Sequence, residues 1–335
     1  MGWPAGMPPP VLPEECSLLR SRTAAVARGE AVLLQGGGRA GLPLGRTEEA
    51  LRRWIRTLLE MELPLAYATG LPVVKVGWTV GGRSGDRGLS SRAASEVYAA
   101  AVVALNLLRA LAMDAPDPRT LSPVVDGSDR GLLAAVSRGL TLSDAYGLGR
   151  RPASARREIF VGSQTGPADY ERALTITAAE PGTAWAASGH LQWLHPGPDA
   201  ATDITRLAAV SNGLAVRIGA QTRPDTVLEL VDALDPRREP GRLTLVVGMG
   251  ADGVRDSLSV LIDKVRAEGA TVCWLADPLC GGATPQAALA GVRAFVEIHR
   301  ALGSHPGGVH VEPARPGPAG TRFLLDLACE FAQAC

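Results

Sequence analysis

Val272-Cys-Trp-Leu-Ala-Asp-Pro-Leu-Cys280-Gly-Gly-Ala-Thr284 (VCWLADPLCGGAT) is the stretch on which the fold is read. Its first five residues are apolar on both faces, the pattern of a parallel strand covered from both sides. A polar, Gly-rich turn follows, and Pro285–Leu302 continues at helical spacing. Strand, turn and helix make one βα unit. In α/β enzymes the chemistry sits at strand ends of this kind, and this one offers Asp277 and Cys280. Asp277 precedes Pro278 and is expected to cap the turn.

The same unit recurs in both directions along the chain. Strand patterns fall at Ala31–Gln35, Val73–Gly77, Glu158–Gly162, His190–Leu194, Leu214–Ile218, Leu243–Gly248, Thr271–Ala276 and Gly308–Glu312. Helical spacing is read over Thr47–Glu60, Ser91–Met113, Thr226–Leu234, Val254–Glu268, Pro285–Leu302 and Thr321–Ala334. Eight such units in 335 residues predict an α/β protein, a (β/α)8 TIM barrel spanning 1–335 as one domain. A doubly wound open sheet is the competing arrangement. Residues 1–29 form an N-terminal extension. Residues 114–157, rich in Pro, Gly, Ser and Arg with a short helix around Gly131–Arg138, form an insertion between strands two and three.

Composition narrows the function. Lys and Arg number 34, Asp and Glu also 34, so nothing suggests nucleic acid or an anionic membrane as partner. The five cysteines contain no CxxC pair, which points to a reduced, cytoplasmic protein. The Pro-rich start lacks the basic and apolar regions of a signal peptide. The most apolar helix, Tyr98–Leu111, is interrupted by Asn106 and Arg109 and reads as core.

In a barrel the strand ends converge, so their residues are the site candidates. Glu312, His195, Cys280 and Arg39 are the candidate catalytic groups. Glu312 is a possible acid or base with a burial-raised pKa, or the ion partner of an Arg such as Arg39. Cys280 is either a ligand or nucleophile or a small space-filler. Lys75, Trp78, Arg87, Trp193, Arg217 and Asp252 are the candidate substrate contacts, with the two Trp offering apolar faces and the two Arg a carboxylate clamp. His190 is read as deeper than His195, and His310 either as a second polar group in the mouth or, by preference, as lying in a lower layer of the barrel.

Six segments in order, LLQGGGRA (33–40), PVVKVGW (72–78), LAVRIGA (214–220), EPGRLTLVVGMGAD (239–252), CWLADPLCGGAT (273–284) and HPGGVHVEP (305–313), resemble the type II 3-deoxy-D-arabino-heptulosonate 7-phosphate (DAHP) synthases over roughly residues 30–313. The resemblance implies a (β/α)8 barrel that condenses phosphoenolpyruvate with erythrose 4-phosphate. In that family a divalent metal held by Cys, His, Glu and Asp polarises the aldehyde. It also implies oligomers, and in some members an allosteric partner such as chorismate mutase.

The motifs depart from the family at the chemistry. Where the family's first strand ends in Gln-Gly-Gly-Asp-Cys, this chain has Gly38 and Arg39 at the last two places. Cys280 stands at the His ligand's place, Glu312 is kept, and the segment bearing the Asp ligand is absent. Trp78 replaces a phosphoenolpyruvate-binding Arg, while Lys75 and Arg87 are kept. The Glu-Arg pair of the fourth strand becomes Pro196-Gly197, Arg217 replaces a Lys, and Gly248 stands where the sixth strand has Arg.

The expectation is a repurposed enzyme of specialised metabolism. It works without cofactor or metal, Cys280 and Glu312 being remnants, by acid–base condensation, cyclisation or elimination. Its substrate is a small, carboxylate-bearing, partly apolar molecule other than phosphoenolpyruvate, and the chain is expected to form a homo-oligomer. A catalytically inactive partner subunit and a DAHP synthase with altered ligands are the alternatives.

Overall fold

The computed structural model describes residues 8–36, 48–78, 91–113, 130–145, 158–164, 168–177, 183–194, 200–312 and 318–335. Eight parallel strands close into a barrel in the order β1 (Val32–Gly36), β10 (Gly308–Val311), β9 (Cys273–Ala276), β8 (Leu243–Gly248), β7 (Gly213–Gly219), β6 (Leu191–Leu194), β3 (Ile159–Gln164) and β2 (Val73–Trp78). All eight expected strands are present, with ends shifted by one or two residues, as fraying termini allow. The open sheet is excluded because β1 pairs with both β2 and β10.

The helices expected around the barrel are α2 (Glu48–Thr69), α3 (Ser91–Met113), α7 (Pro224–Leu234), α8 (Gly250–Ala267), α9 (Pro285–Ala301) and α10 (Pro318–Ala334). α9 shows why a local signal suffices. Pro285 starts it and the Thr284 hydroxyl accepts from the Ala287 N–H at 3.3 Å, an N-cap. Its inner stripe, Ala288, Val292, Phe295 and Val296, packs against β9 and α8. Each large side chain so buried contributes about 2 kcal/mol.

Four features were not read from the sequence. α2 runs nine residues past the expected end, through Pro64. The insertion helix α4 spans Arg130–Ala145 rather than eight residues. α5 (Ala168–Ala173), α6 (Ala200–Ala208) and an antiparallel pair, β4 (Thr175–Thr177) with β5 (Ala184–Ala186), lie around β6. Within the N-terminal extension, Pro13–Ala27 forms α1, which closes the amino end of the barrel. Leu19 and Val26 pack into the interior with Leu33, Val74, Val246 and Leu275.

Alternation fixes which side chains face inward. Leu33, Val74, Val76, Leu191, Ala215, Val246, Cys273 and Leu275 share the interior cluster. Val32, Leu34, Val73, Val216, Val247 and Val309 face the helices. Gly307, at φ +42°, enters β10 where a Cβ would strike the backbone of Trp274, so only glycine fits.

Candidate active site

The inner face of β7 passes from Ala215 to Arg217, which emerges near the carboxyl end of the barrel. Its guanidinium gathers the neighbouring strand ends. Nε lies 2.8 Å from Asp277 Oδ2, a charge contact outside hydrogen-bond alignment. Nη2 lies 3.4 Å from Glu312 Oε2 and 3.3 Å from His310 Nε2. Cζ stands 5.9 Å from the ring centroid of Trp193, within cation–π range. His310 Nε2 is also 3.3 Å from Glu312 Oε1, and its ring tilts against Trp193 at 5.0 Å between centroids. Four groups from three strands, β6, β9 and β10, thus share one guanidinium.

Cys280 joins this group from the turn after β9. A Cβ on Gly248 would meet Cys280 Sγ at 2.9 Å and Asp277 Oδ2 at 3.3 Å, so thiol and carboxylate cover the end of β8. The glycine at that position makes room for both.

Burial would raise the pKa of Glu312. The His310 hydrogen bond, the His310 charge and the Arg217 guanidinium together outweigh it and hold the carboxyl below its ordinary range. The expected burial-raised Glu312 is therefore corrected: its partners win. Its ion partner among the described residues is Arg217. Arg39, the partner considered from sequence, lies outside them, as do Arg87 and His195. Trp78 ends β2, but its side chain is likewise outside the described set.

Two expected substrate contacts face elsewhere. Lys75 shares the outer face of β2 with Val73, and its Nζ donates to Glu62 Oε1 on α2 at 2.8 Å. The ammonium is buried between strand and helix, away from the mouth. Asp252 sits in the first turn of α8 with its side chain 97 % exposed, bonded to Arg255 at 3.2 Å. Trp193 is in the site but is no open stacking platform, because it is buried beneath Arg217 and beside His310.

His310 and Asp277 were underread. His310 is fully buried, as the lower-layer reading implied, yet it belongs to the polar group. Asp277 holds Arg217 in addition to shaping the turn. Gln35 was read as the end of the first strand without a role of its own, and it lies inside the barrel. Period-two alternation was the available signal: Gln35 follows Leu33, and His310 precedes Glu312, on inward positions. His190 is at the amino end as expected, its Nδ1 accepting from the Val161 N–H at 3.0 Å.

A divalent cation does not fit this donor set. The place between Asp277, Glu312 and His310 is taken by a guanidinium that touches all three. A metal there would meet the repulsion of Arg217 unless that side chain withdrew. Among the described residues no three His, Cys, Asp or Glu side chains are grouped to hold a metal. Among the described residues no helix is long and apolar enough to cross a membrane.

With the geometry in place, known proteins supply a frame. The class-II DAHP synthetase family model matches residues 5–87 and 83–315. A phospho-2-dehydro-3-deoxyheptonate aldolase of Streptomyces coelicolor is 34% identical over 387 residues, covering 98% of this chain and 86% of that protein. The aldolase AroG of Mycolicibacterium smegmatis is 34% identical over 361 residues, covering 91% and 77%. A truncated 3-deoxy-D-arabino-heptulosonate 7-phosphate synthase of Thermotoga maritima overlays with a TM-score of 0.44 at 13% identity, covering 91% of this chain and 85% of that one. An overlay at that level adds nothing to the barrel described above.

Proposed function

The chain belongs to the class-II DAHP synthetase family, and from that premise we propose that it is an enzyme built on this barrel whose fixed cation is Arg217 rather than a metal ion. The reading rests on one observation above all, the guanidinium held at once by Asp277, Glu312 and His310. Arg217 polarises a carbonyl or enolate oxygen that approaches the mouth, as a preorganised cation does. Asp277 and Glu312 keep it oriented. Cys280, half-buried on the rim, bounds the pocket on the β8 side.

The substrate in this reading is a small, partly apolar carboxylate and not phosphoenolpyruvate, since the chain lacks three of the family's phosphate-facing Arg residues. Each charge-assisted contact of that kind is worth roughly 1.5–3 kcal/mol. The reaction class is an acid–base condensation, cyclisation or elimination, placed in specialised metabolism by analogy with recruited relatives.

A second reading, a catalytically silent subunit, draws on the same cluster: Arg217 already has two carboxylate partners of its own.

The test is direct. Purified protein is incubated with phosphoenolpyruvate and erythrose 4-phosphate, with and without Mn²⁺, while metal content is measured by elemental mass spectrometry. No sugar acid and no stoichiometric metal are expected. Metal-dependent formation of the sugar acid overturns the proposal. Turnover of a non-phosphorylated carboxylate by the wild type, lost in Arg217→Met, separates the enzyme from the silent subunit.

A further inference from the structure

Gln35 is fully buried, and both its amide atoms, Nε2 and Oε1, lack a hydrogen-bond partner among the described residues. An orphaned buried amide is destabilising, so a fold that keeps one needs a reason. The side chain lies on the inner face of β1, two residues beyond Leu33. It reaches across the barrel toward Gly162 of β3. A Cβ on Gly162 would stand 3.4 Å from Gln35 Nε2 and 3.3 Å from Trp193 Nε1, so both nitrogens lie beside the bare backbone of this glycine. His310 pairs with Gln35 in register on the adjacent strand, which sets the amide level with the imidazole that Arg217 touches and so next to the Arg217 cluster.

We infer that Gln35 is the floor of the substrate pocket and binds an uncharged, planar amide or lactam edge of the ligand. Nε2 donates to its carbonyl and Oε1 accepts from its N–H, the pairing that satisfies both orphaned atoms. The indole N–H of Trp193 faces the same carbonyl. The ligand is neutral at this end because Asp277 and Glu312 stand against the single guanidinium above, which leaves no net positive charge for an anion. It enters past Arg217, whose side chain is partly exposed. This inference rests on the enzyme reading and adds the chemistry of its deep end, leaving the carboxylate at the rim.

The test uses the full chain, wild type and Gln35→Met, with benzamide and its charged isostere benzoate as calorimetric probes and thermal melting as the control. Wild type is expected to bind benzamide about tenfold more tightly than benzoate, and Gln35→Met to lose about tenfold in benzamide affinity, the scale of one or two net hydrogen bonds. The Tm of Gln35→Met is expected to equal or exceed that of wild type, because an orphaned amide has been removed. Gln35→Asn withdraws the amide by one carbon and serves if the Met variant does not fold, with the same expected loss. Unchanged benzamide binding in the variants, a wild type that prefers benzoate, or no benzamide binding overturns the inference. So does a fall in Tm, which would place a structural water on Gln35. Turnover of a carboxylate without amide binding defeats this inference and spares the enzyme reading. Amide binding without any turnover does the reverse.

Discussion

The two ends of the barrel spend their buried polar groups differently. At the amino end they serve the backbone. Asn212 accepts from the Ala186 N–H at 2.8 Å and donates to the carbonyls of Ala186, Gly189 and His190. Arg242 is buried, pulled down to about 10 by desolvation, and donates to the carbonyls of Leu207, Val210 and Asn212. α1 lies across this end, where the Cys273 thiol donates to the Thr23 carbonyl at 3.1 Å and burial pushes it up to about 12. Each of these groups ties one chain segment to another.

At the carboxyl end the polar groups face one another and the barrel's interior. Arg217, Asp277, Glu312 and His310 form a side-chain cluster, and the amide of Gln35, in register with His310, has no hydrogen-bond partner among the described residues. Polar burial that sews backbone together is stabilising, because it meets groups that would otherwise be orphaned. Polar burial that leaves an amide unmet weakens the fold and is retained where a ligand meets it.

The largest effect that sharpens this contrast is expected at Arg217. Arg217→Met leaves Asp277 and Glu312 without their cation, and the loss on urea unfolding is expected near 3–5 kcal/mol, the cost of breaking a buried pair. A loss below about 1 kcal/mol would mean that the cluster is solvated and the contrast is false.

Asn212→Ala comes next, at about 2 kcal/mol by the same measurement, since it strands the Ala186 N–H and three carbonyls. Its binding of small-molecule probes is expected to stay at the wild-type value. A change in binding with Asn212→Ala would break the division between the two ends.

A smaller effect is pH-dependent. The His190 imidazole, its Nε2 3.7 Å from Glu15 Oε2, holds the Glu15 carboxyl at about 2 against an ordinary 4.5; burial opposes it, and the Leu12 N–H and Arg109 add to it. Because the folded value is depressed, the stabilisation is complete above about 4.5 and is lost as pH falls toward about 2. The stability difference between wild type and Glu15→Gln is expected to be flat at neutral pH and to vanish across that window. A difference that persists in acid contradicts the pairing.

The smallest effect is expected from Cys280→Ala, within about 0.5 kcal/mol, since the turn is half exposed. A larger loss would give the thiol a part in the cluster beyond filling space over Gly248.

Much of the fold was legible because its signals are local and repeated. Strands apolar on both faces recur eight times, six of them with a helical pattern after them, and closure is the arrangement that number favours. α1 was missed because its apolar face is weak and its meaning comes from the barrel end it covers. The short β4–β5 pair and α5 were missed because elements of three to six residues carry too few positions for a period to show. Of the site, Arg217, Glu312, Cys280 and Trp193 were legible as strand-end residues. Lys75 and Asp252 were placed in it by motif, although alternation already turned Lys75 outward with Val73.

The sequence by itself determined the barrel, its strands and the family, since periodicity and motif order survive along a linear chain. Only the tertiary structure decided that one guanidinium binds Asp277, Glu312 and His310, and that Gln35 beside His310 is left unmet among the described residues. These residues stand up to 277 positions apart, from Gln35 to Glu312. Their contact depends on the direction each inward side chain takes once the barrel closes, and no local pattern encodes that.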